Sequence, residues 1–90
     1  MSKLIIANFK MNGTKSSIEE WFNTFSREAN TSNEVIVAIP SPFLINFADN
    51  GIRVAAQNVS PYVSGAYTSQ VSAEMLKDCG IEYSIIGHSE

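Results

Sequence analysis

The sequence predicts an α/β fold of order βαβαβαβ, with a parallel sheet and helices on its outside. Short apolar runs rich in branched side chains recur along the chain, which is typical of strands buried on both faces of a parallel sheet. Stretches with apolar residues at helical spacing lie between these runs. Because such an alternation uses right-handed crossovers, it predicts either a doubly wound sheet or a sheet that curves toward a (β/α) barrel.

Four strands are predicted from the apolar runs and the residues that end them. They cover residues 4–7, 35–39, 52–56 and 83–86. The first is apolar throughout, so we expect it to be buried on both faces. The second ends at Pro40 and Pro42, which cannot donate hydrogen bonds to a neighbouring strand.

The first predicted helix follows from an apolar stripe. Its inward positions are Ile18, Trp21, Phe22, Phe25 and Ala29. The spacing predicts a helix of about three turns whose aromatic residues pack in the core. A capping box is expected at its start, formed either by Ser16 with Glu19 or by Ser17 with Glu20.

Two further helices are predicted before the third and fourth strands. One runs over residues 44–48 and ends at Asn50 and Gly51. The other begins at Ser72 and ends before Gly80. Its inward residues are expected to be Met75, Leu76 and Cys79. We interpret Cys79 as a small buried hydrophobic residue, not as a nucleophile.

Residues 57–69 form the longest predicted loop, a candidate functional loop.

Composition and charge limit the size of the domain, its expected partners and its compartment. Ninety residues with 44% apolar side chains suit one small domain with a modest core. A net charge of −3 provides no basic field, so nucleic acid and anionic membranes are not expected partners. A single cysteine fits a cytoplasmic protein, since small secreted domains normally need several disulfides. No apolar run has the length of a membrane span or a signal peptide.

Polar residues follow three of the predicted strands at their carboxyl ends, where ligands bind in both candidate folds. These residues are Asn8, Lys10 and Asn12, then Gln57 and Asn58, then His88, Ser89 and Glu90. The Lys10 ammonium could bind an anion, and His88 could donate or accept a proton. We expect Lys10 and His88 to converge on one rim of the sheet.

Several other chemistries have little support. His88 and Ser89 are adjacent and diverge on leaving a strand, and no G-x-S-x-G elbow is present, so a hydrolase is not expected. His88 and Glu90 are too few ligands for a metal site. No glycine-rich phosphate loop or dinucleotide fingerprint follows a strand.

Four segments together resemble the triosephosphate isomerase family in order and spacing. They are Asn-Phe-Lys-Met-Asn-Gly at 8–13, Gln-Asn-Val-Ser at 57–60, Gly-Ala-Tyr-Thr at 65–68 and Gly-His-Ser-Glu at 87–90. The resemblance extends over all ninety residues. It implies a (β/α)8 TIM barrel, which needs about 250 residues. Residues 1–90 would then be the N-terminal half of a single barrel domain, incomplete at the C-terminus.

The resemblance also implies an activity. It is the glycolytic and gluconeogenic interconversion of dihydroxyacetone phosphate and glyceraldehyde 3-phosphate through an enediolate, without cofactor or metal. Asn8 would orient Lys10 and line the substrate site, and Lys10 would balance the charge of phosphate and enediolate. His88 would polarise the carbonyl. Glu90 would contact the lysine, and Ser89 would lead into the following helix.

A homodimer is implied as well, with Thr68 at the tip of the long loop reaching into the second subunit. The sequence departs from the family pattern at Ser69 and Gln70, where glycine and glutamate are usual, and at Phe9, where tryptophan is frequent. The first two put the loop turn and an intersubunit contact in question. Phe9 should alter packing only.

By the same resemblance, the proton-abstracting base, the lid and the phosphate-binding loops lie in sequence beyond Glu90. The ninety residues alone are therefore expected to be inactive. Two alternatives stay open from the sequence. A non-catalytic phosphate-binding module would bind phosphoglycolate without proton exchange, and an assembly fragment would restore activity only with the complementary half.

Overall fold

The structure, a computed structural model, describes residues 3–28, 34–49 and 51–87. Within these ranges the elements follow the predicted order. The strands are β1 (Leu4–Asn8), β2 (Glu34–Ile39), β3 (Arg53–Ala56) and β4 (Tyr83–Ser84). The helices are α1 (Lys15–Glu28), α2 (Leu44–Phe47), which a 3-10 turn at Ser41–Phe43 precedes, and α3 (Ala73–Asp78). No helix in these ranges combines the length and apolar character needed to cross a membrane.

The four described strands form one parallel sheet in the order β1-β2-β3-β4. Val37 on β2 lies opposite Ala7 on β1 and opposite Val54 on β3. A doubly wound sheet reverses its strand order and carries helices on both faces. A sequential order with crossovers of one hand places every helix on the same face. The described residues thus have the architecture of the first half of a (β/α) barrel.

The two faces of the sheet carry different apolar clusters. The outer core packs helix residues on alternate strand residues; it contains Ile18, Phe22, Val37, Ile39, Leu44, Phe47, Val54, Ala56, Leu76 and Ile81. The inner face contains Ile36, Ala38 and Ala55, with Tyr83 and Ile85 packed against them. Because side chains alternate along a strand, both clusters draw on β2 and β3.

β1 differs from its prediction as a strand buried on both faces. Its apolar residues Leu4, Ile5 and Ile6 are 58%, 44% and 54% exposed. The physical reason is position, since β1 lies at the edge of the described sheet and pairs there with β2 alone. An apolar run identifies the strand, but the elements around it decide its burial.

Helix α1 begins earlier than predicted, and a different pair of residues caps it. The amide of Ser17 donates to Thr14 Oγ1 at 3.1 Å, and the amide of Thr14 donates to Ser17 Oγ at 2.8 Å. This reciprocal pair is the capping box, so neither expected pair, Ser16 with Glu19 or Ser17 with Glu20, forms it. The helix has 14 residues, about four turns, instead of about three.

The aromatic stripe of α1 packs partly as predicted, with Phe22 in the outer core and Trp21 against it, while Phe25 packs on Trp21. Phe22 is buried in the outer core and meets Phe47 edge-on, with ring centroids 5.0 Å apart. Trp21 is half-buried, stacks on Phe25 at 5.2 Å and meets Phe9 edge-on at 5.5 Å. Phe9 thus packs on the aromatic stripe, and the effect of phenylalanine in place of tryptophan stays a prediction. Ala29 lies outside the described residues.

The end of α3 corrects the predicted burial of Cys79 and Met75. Both side chains are exposed, Met75 by 53%, while Leu76 is buried. The amide of Ile81 donates to Leu76 O at 2.8 Å, and Gly80 between them has a φ of +82°. In this Schellman motif the chain folds back after the helix. Ile81 therefore takes the buried position expected for Cys79.

The other element ends are close to their predictions. Ser72 caps α3 by accepting from the Met75 amide at 3.1 Å. β4 has two residues instead of four, although the amide of Ile85 continues the pairing to Ala56 O at 2.9 Å. Gly51 follows α2 with a φ of +87°, as expected of a helix stop. Asn50 lies outside the described residues.

The predicted long loop is confirmed and carries a strained turn. It closes at its base where the Ser60 amide donates to Val71 O at 2.8 Å, and residues 61–70 are all exposed. Ser69 has a φ of +65°, in the left-handed region that disfavours residues with a Cβ. Glycine, which the resemblance leads us to expect at this position, would relieve that strain.

We predict that Thr14→Ala lowers the free energy of unfolding by about 1 kcal/mol, because it removes the acceptor for the Ser17 amide. Urea denaturation measures the change. Glu19→Ala is the matched control, with an expected effect of at most about 0.5 kcal/mol. A larger loss in Glu19→Ala than in Thr14→Ala would contradict the observed capping box.

We predict that Ser69→Gly raises the free energy of unfolding by about 1 kcal/mol, because glycine adopts a positive φ without steric cost. The control is Ser64→Gly in the same exposed loop, where φ lies outside the left-handed region and the added chain entropy should lower stability slightly. Equal effects of the two substitutions on the urea midpoint would refute the assignment of strain to Ser69.

Candidate active site

The carboxyl ends of β1, β3 and β4 border an open cleft of about 770 Å³. Its described lining consists of Asn8, Lys10, Met11, Asn12, Gln57, Asn58, Ile85 and Gly87. This volume lies within the range of small-molecule sites, about 300–1,000 Å³. The cleft thus lies where the sequence predicts a ligand site.

Lys10 follows β1 in a strained backbone conformation. Its φ is +56°, which is uncommon for a residue other than glycine, asparagine or aspartate. The Lys10 amide donates to Asn8 Oδ1 at 2.9 Å. The side chain of Asn8, two residues before Lys10, therefore closes the turn. Such strain costs about 1–3 kcal/mol and persists only where the surrounding structure imposes it.

Gln57 supplies that surrounding structure. Its Nε2 donates to Lys10 O at 2.7 Å and lies 3.3 Å from Asn8 Oδ1, a second acceptor. Gln57 directly follows β3 and is half-buried, so its own position is fixed by the sheet. Each such hydrogen bond contributes about 1 kcal/mol, which offsets a large part of the strain at Lys10. The three residues form one hydrogen-bonded unit.

Lys10 is the only basic residue among the described residues that line the cleft, and it is exposed. Amide groups surround it, while Met11 and Ile85 contribute apolar surface. A cationic side chain that extends from a hydrogen-bonded backbone, with amide donors beside it, suits a small polar anion. The described lining therefore has the chemistry to bind a small anion.

The predicted site residues have different outcomes. Asn8 and Lys10 are brought together at the cleft, in direct hydrogen-bond contact. His88, Ser89 and Glu90 lie outside the described residues. Gly87, which precedes His88 in the sequence, lines the cleft. The convergence of Lys10 and His88 stays a prediction.

Gln57 is the residue whose role the sequence analysis missed. Its place after a predicted strand puts it on the rim without indicating a role. The available signal is a polar side chain directly after a buried strand, on the edge where Lys10 also lies. Its partners are 47 and 49 residues away in the sequence. A contact over that distance leaves no local pattern.

The loop that carries Thr68 is separate from this lining. Thr68 is exposed at a turn with Ser69, and neither residue borders the cleft. Gln70 is also exposed, and its amide lies 3.4 Å from Tyr67 O. Across the described residues, no three His, Cys, Asp or Glu side chains come together.

Comparison with known proteins gives close relatives. The chain is 44% identical to the triosephosphate isomerase of Mycoplasma capricolum over 92 residues, which cover 98% of this chain and 37% of the relative. It is 42% identical to that of Francisella tularensis, with 100% and 38% covered, and 40% identical to that of Taenia solium, with 92% and 35% covered. The chain thus spans little more than a third of the length of these relatives.

The family model described as triosephosphate isomerase matches residues 3–90. The matched range includes every described strand and helix, the cleft at the strand ends and the long loop. Over this extent, both the sequence match and the barrel-like order of the strands show that the chain belongs to the triosephosphate isomerase family.

Proposed function

We propose that this chain forms the first half of the barrel of a triosephosphate isomerase, which interconverts dihydroxyacetone phosphate and glyceraldehyde 3-phosphate. The observation that carries the proposal is the strained Lys10, held by Asn8 and Gln57 at the cleft. A backbone conformation that costs free energy is maintained where one side chain needs a fixed position. In this family the need is charge stabilisation at the substrate.

The proposed role of Lys10 follows from the charges of the reaction. The substrate carries a phosphate, and the enediolate adds negative charge at the reacting carbons. The Lys10 ammonium, which extends from a backbone that Asn8 and Gln57 hold, stabilises that developing charge. Asn8 orients Lys10 through the Lys10 amide and lines the substrate site. Gln57 acts as a positioning residue through the carbonyl of Lys10.

His88 is proposed to polarise the substrate carbonyl, with Glu90 in contact with the lysine and Ser89 leading into the following helix. The support is the family match, which extends through residue 90, and the position of Gly87 on the cleft. The reaction requires a base to remove a carbon-bound proton, and we assign that base to barrel sequence beyond these ninety residues. On this scheme the chain needs neither a cofactor nor a metal.

We propose a cytoplasmic homodimer, acting in glycolysis and gluconeogenesis, with the loop around Thr68 at the subunit interface. The loop is exposed from residue 61 to residue 70 and carries apolar surface, with Val63 70% exposed. Low charge on the chain, 17% of residues, also suits surface that a second subunit covers. A symmetric dimer would use the same loop from each subunit.

We predict that Lys10→Ala and His88→Ala each lower kcat of the full-length enzyme by about 10²-fold or more, because each removes a group that stabilises developing charge. Steady-state kinetics with glyceraldehyde 3-phosphate measure the change, and urea denaturation checks that each variant is folded. Lys77→Ala is the matched control, an exposed lysine on α3 outside the cleft lining, and should keep wild-type kcat. Wild-type turnover in Lys10→Ala would remove the site assignment.

We predict that the isolated ninety residues have no measurable isomerase activity, because a general base alone contributes about 10²–10⁴ in rate. A coupled assay on purified chain measures this, with host enzyme excluded by a parallel preparation of Lys10→Ala. Turnover by the wild-type chain above that preparation would contradict the proposed division of the site. Addition of the remaining barrel sequence should restore activity if the halves associate.

A further inference from the structure

The long loop contains an aromatic contact that its role as a connection does not require. The rings of Tyr62 and Tyr67 stack with centroids 4.2 Å apart and an interplanar angle of 4°. Both side chains are about half exposed, at 50% and 42%. The contact joins two points of the same exposed loop, so it closes the loop on itself without help from either core cluster.

Gly65 makes room for this stack. It has a φ of +133°, and a Cβ at this position would lie 2.8 Å from Tyr67 Cε2, closer than carbon atoms pack. The chain between the two tyrosines therefore passes close to the Tyr67 ring, which only glycine permits. Two independent features, the stacked rings and the close backbone approach, define one loop shape.

The hydrogen bonds at the base of the loop act with the stack. The Tyr62 amide donates to Ser60 Oγ at 3.1 Å, and the Ser60 amide donates to Val71 O at 2.8 Å. On the other limb the Gln70 amide lies 3.4 Å from Tyr67 O, beside the turn at Ser69. Tyr62 thus lies on the first half of the loop and Tyr67 on the second, and the ring contact joins the two halves.

From these contacts we infer that Tyr62 is a positioning residue for subunit association: its stack on Tyr67 fixes the shape of the loop before a second copy of this chain binds it. The inference rests on the proposed dimer. A preformed loop loses less conformational freedom on association than a flexible one, so the stack strengthens the dimer even where Tyr62 itself makes no contact with the partner.

The test compares Tyr62→Ala with Tyr62→Phe in the full-length protein. Sedimentation over a dilution series gives the dimer dissociation constant. Amide hydrogen exchange of Tyr62 and Gln70, at concentrations where every variant is dimeric, reports the loop shape. Because two loops lose the stack in each dimer, Tyr62→Ala should raise the dissociation constant about 10-fold or more and accelerate exchange. Tyr62→Phe keeps the ring and should match wild type.

A second variant, Gly65→Ala, keeps both rings but displaces Tyr67, and should weaken the dimer in the same direction. An unchanged dissociation constant in Tyr62→Ala overturns the inference. So does a weaker dimer with unchanged exchange, which would make Tyr62 a direct contact instead. If the wild-type protein is a monomer, the proposed dimer fails on that result alone. Amide hydrogen exchange then tests the role of the stack in loop shape separately. Faster exchange in Tyr62→Ala supports that role, and unchanged exchange overturns it.

Discussion

Burial of β2 from Ile36 to Ile39 is the constraint on which the other described elements depend. Val37 and Ile39 enter the outer core and Ala38, between them, packs on the inner face; all three are 0% exposed. The outer side of β2 places Val37 and Ile39 among the helices, whereas its inner side carries Ile36 and Ala38. A register slip of one residue would exchange these sides. The pairing of β1 and β3 with β2, and the side on which the helices lie, are therefore fixed together.

This pairing also explains how the site is assembled. β1 and β3 are two strands apart, about 9–10 Å at the usual strand spacing. β2 ends at Ile39, before Pro40, so the chain leaves the sheet between them. Asn8 lies opposite Ala38, and Gln57 follows Ala56, the partner of Ile39. The glutamine side chain can then extend past the end of β2 to Lys10. The hydrogen-bonded unit is a consequence of where the middle strand stops.

Local patterns in the sequence were sufficient for the order of the elements, the Ser72 cap, the long loop and the placement of Asn8 and Lys10. They were insufficient where a distant or competing contact decides the outcome. The predicted capping box of α1 is wrong because several serine and threonine residues near its start could serve as the cap. Only the observed start of the helix at Lys15 selects Thr14. The predicted burial of Cys79 is wrong because the chain reverses at Gly80 and places Ile81 in the core instead.

The candidate site shows the same division. Lys10 follows a recognisable strand, so its position on the rim was predictable. Its positive φ and its contact with Gln57 were not, because they depend on β3, which lies more than forty residues further along the sequence. The exposure of β1 is likewise a property of the neighbours of that strand. The roles of His88, Ser89 and Glu90, and of Thr68 at an interface, are proposals supported by family membership.

The sequential order of the sheet has a consequence for how this chain acquires its structure during synthesis. Each of the three described pairings joins strands that follow one another along the chain, so none of the three waits for a segment made later. β1 can find its partner when residue 39 has left the ribosome, and each new β-α unit adds to an edge already present. These pairings can therefore form in the order of synthesis, but each parallel pair must first close a loop that contains a helix, and the entropy of that closure is lost before the strands pair.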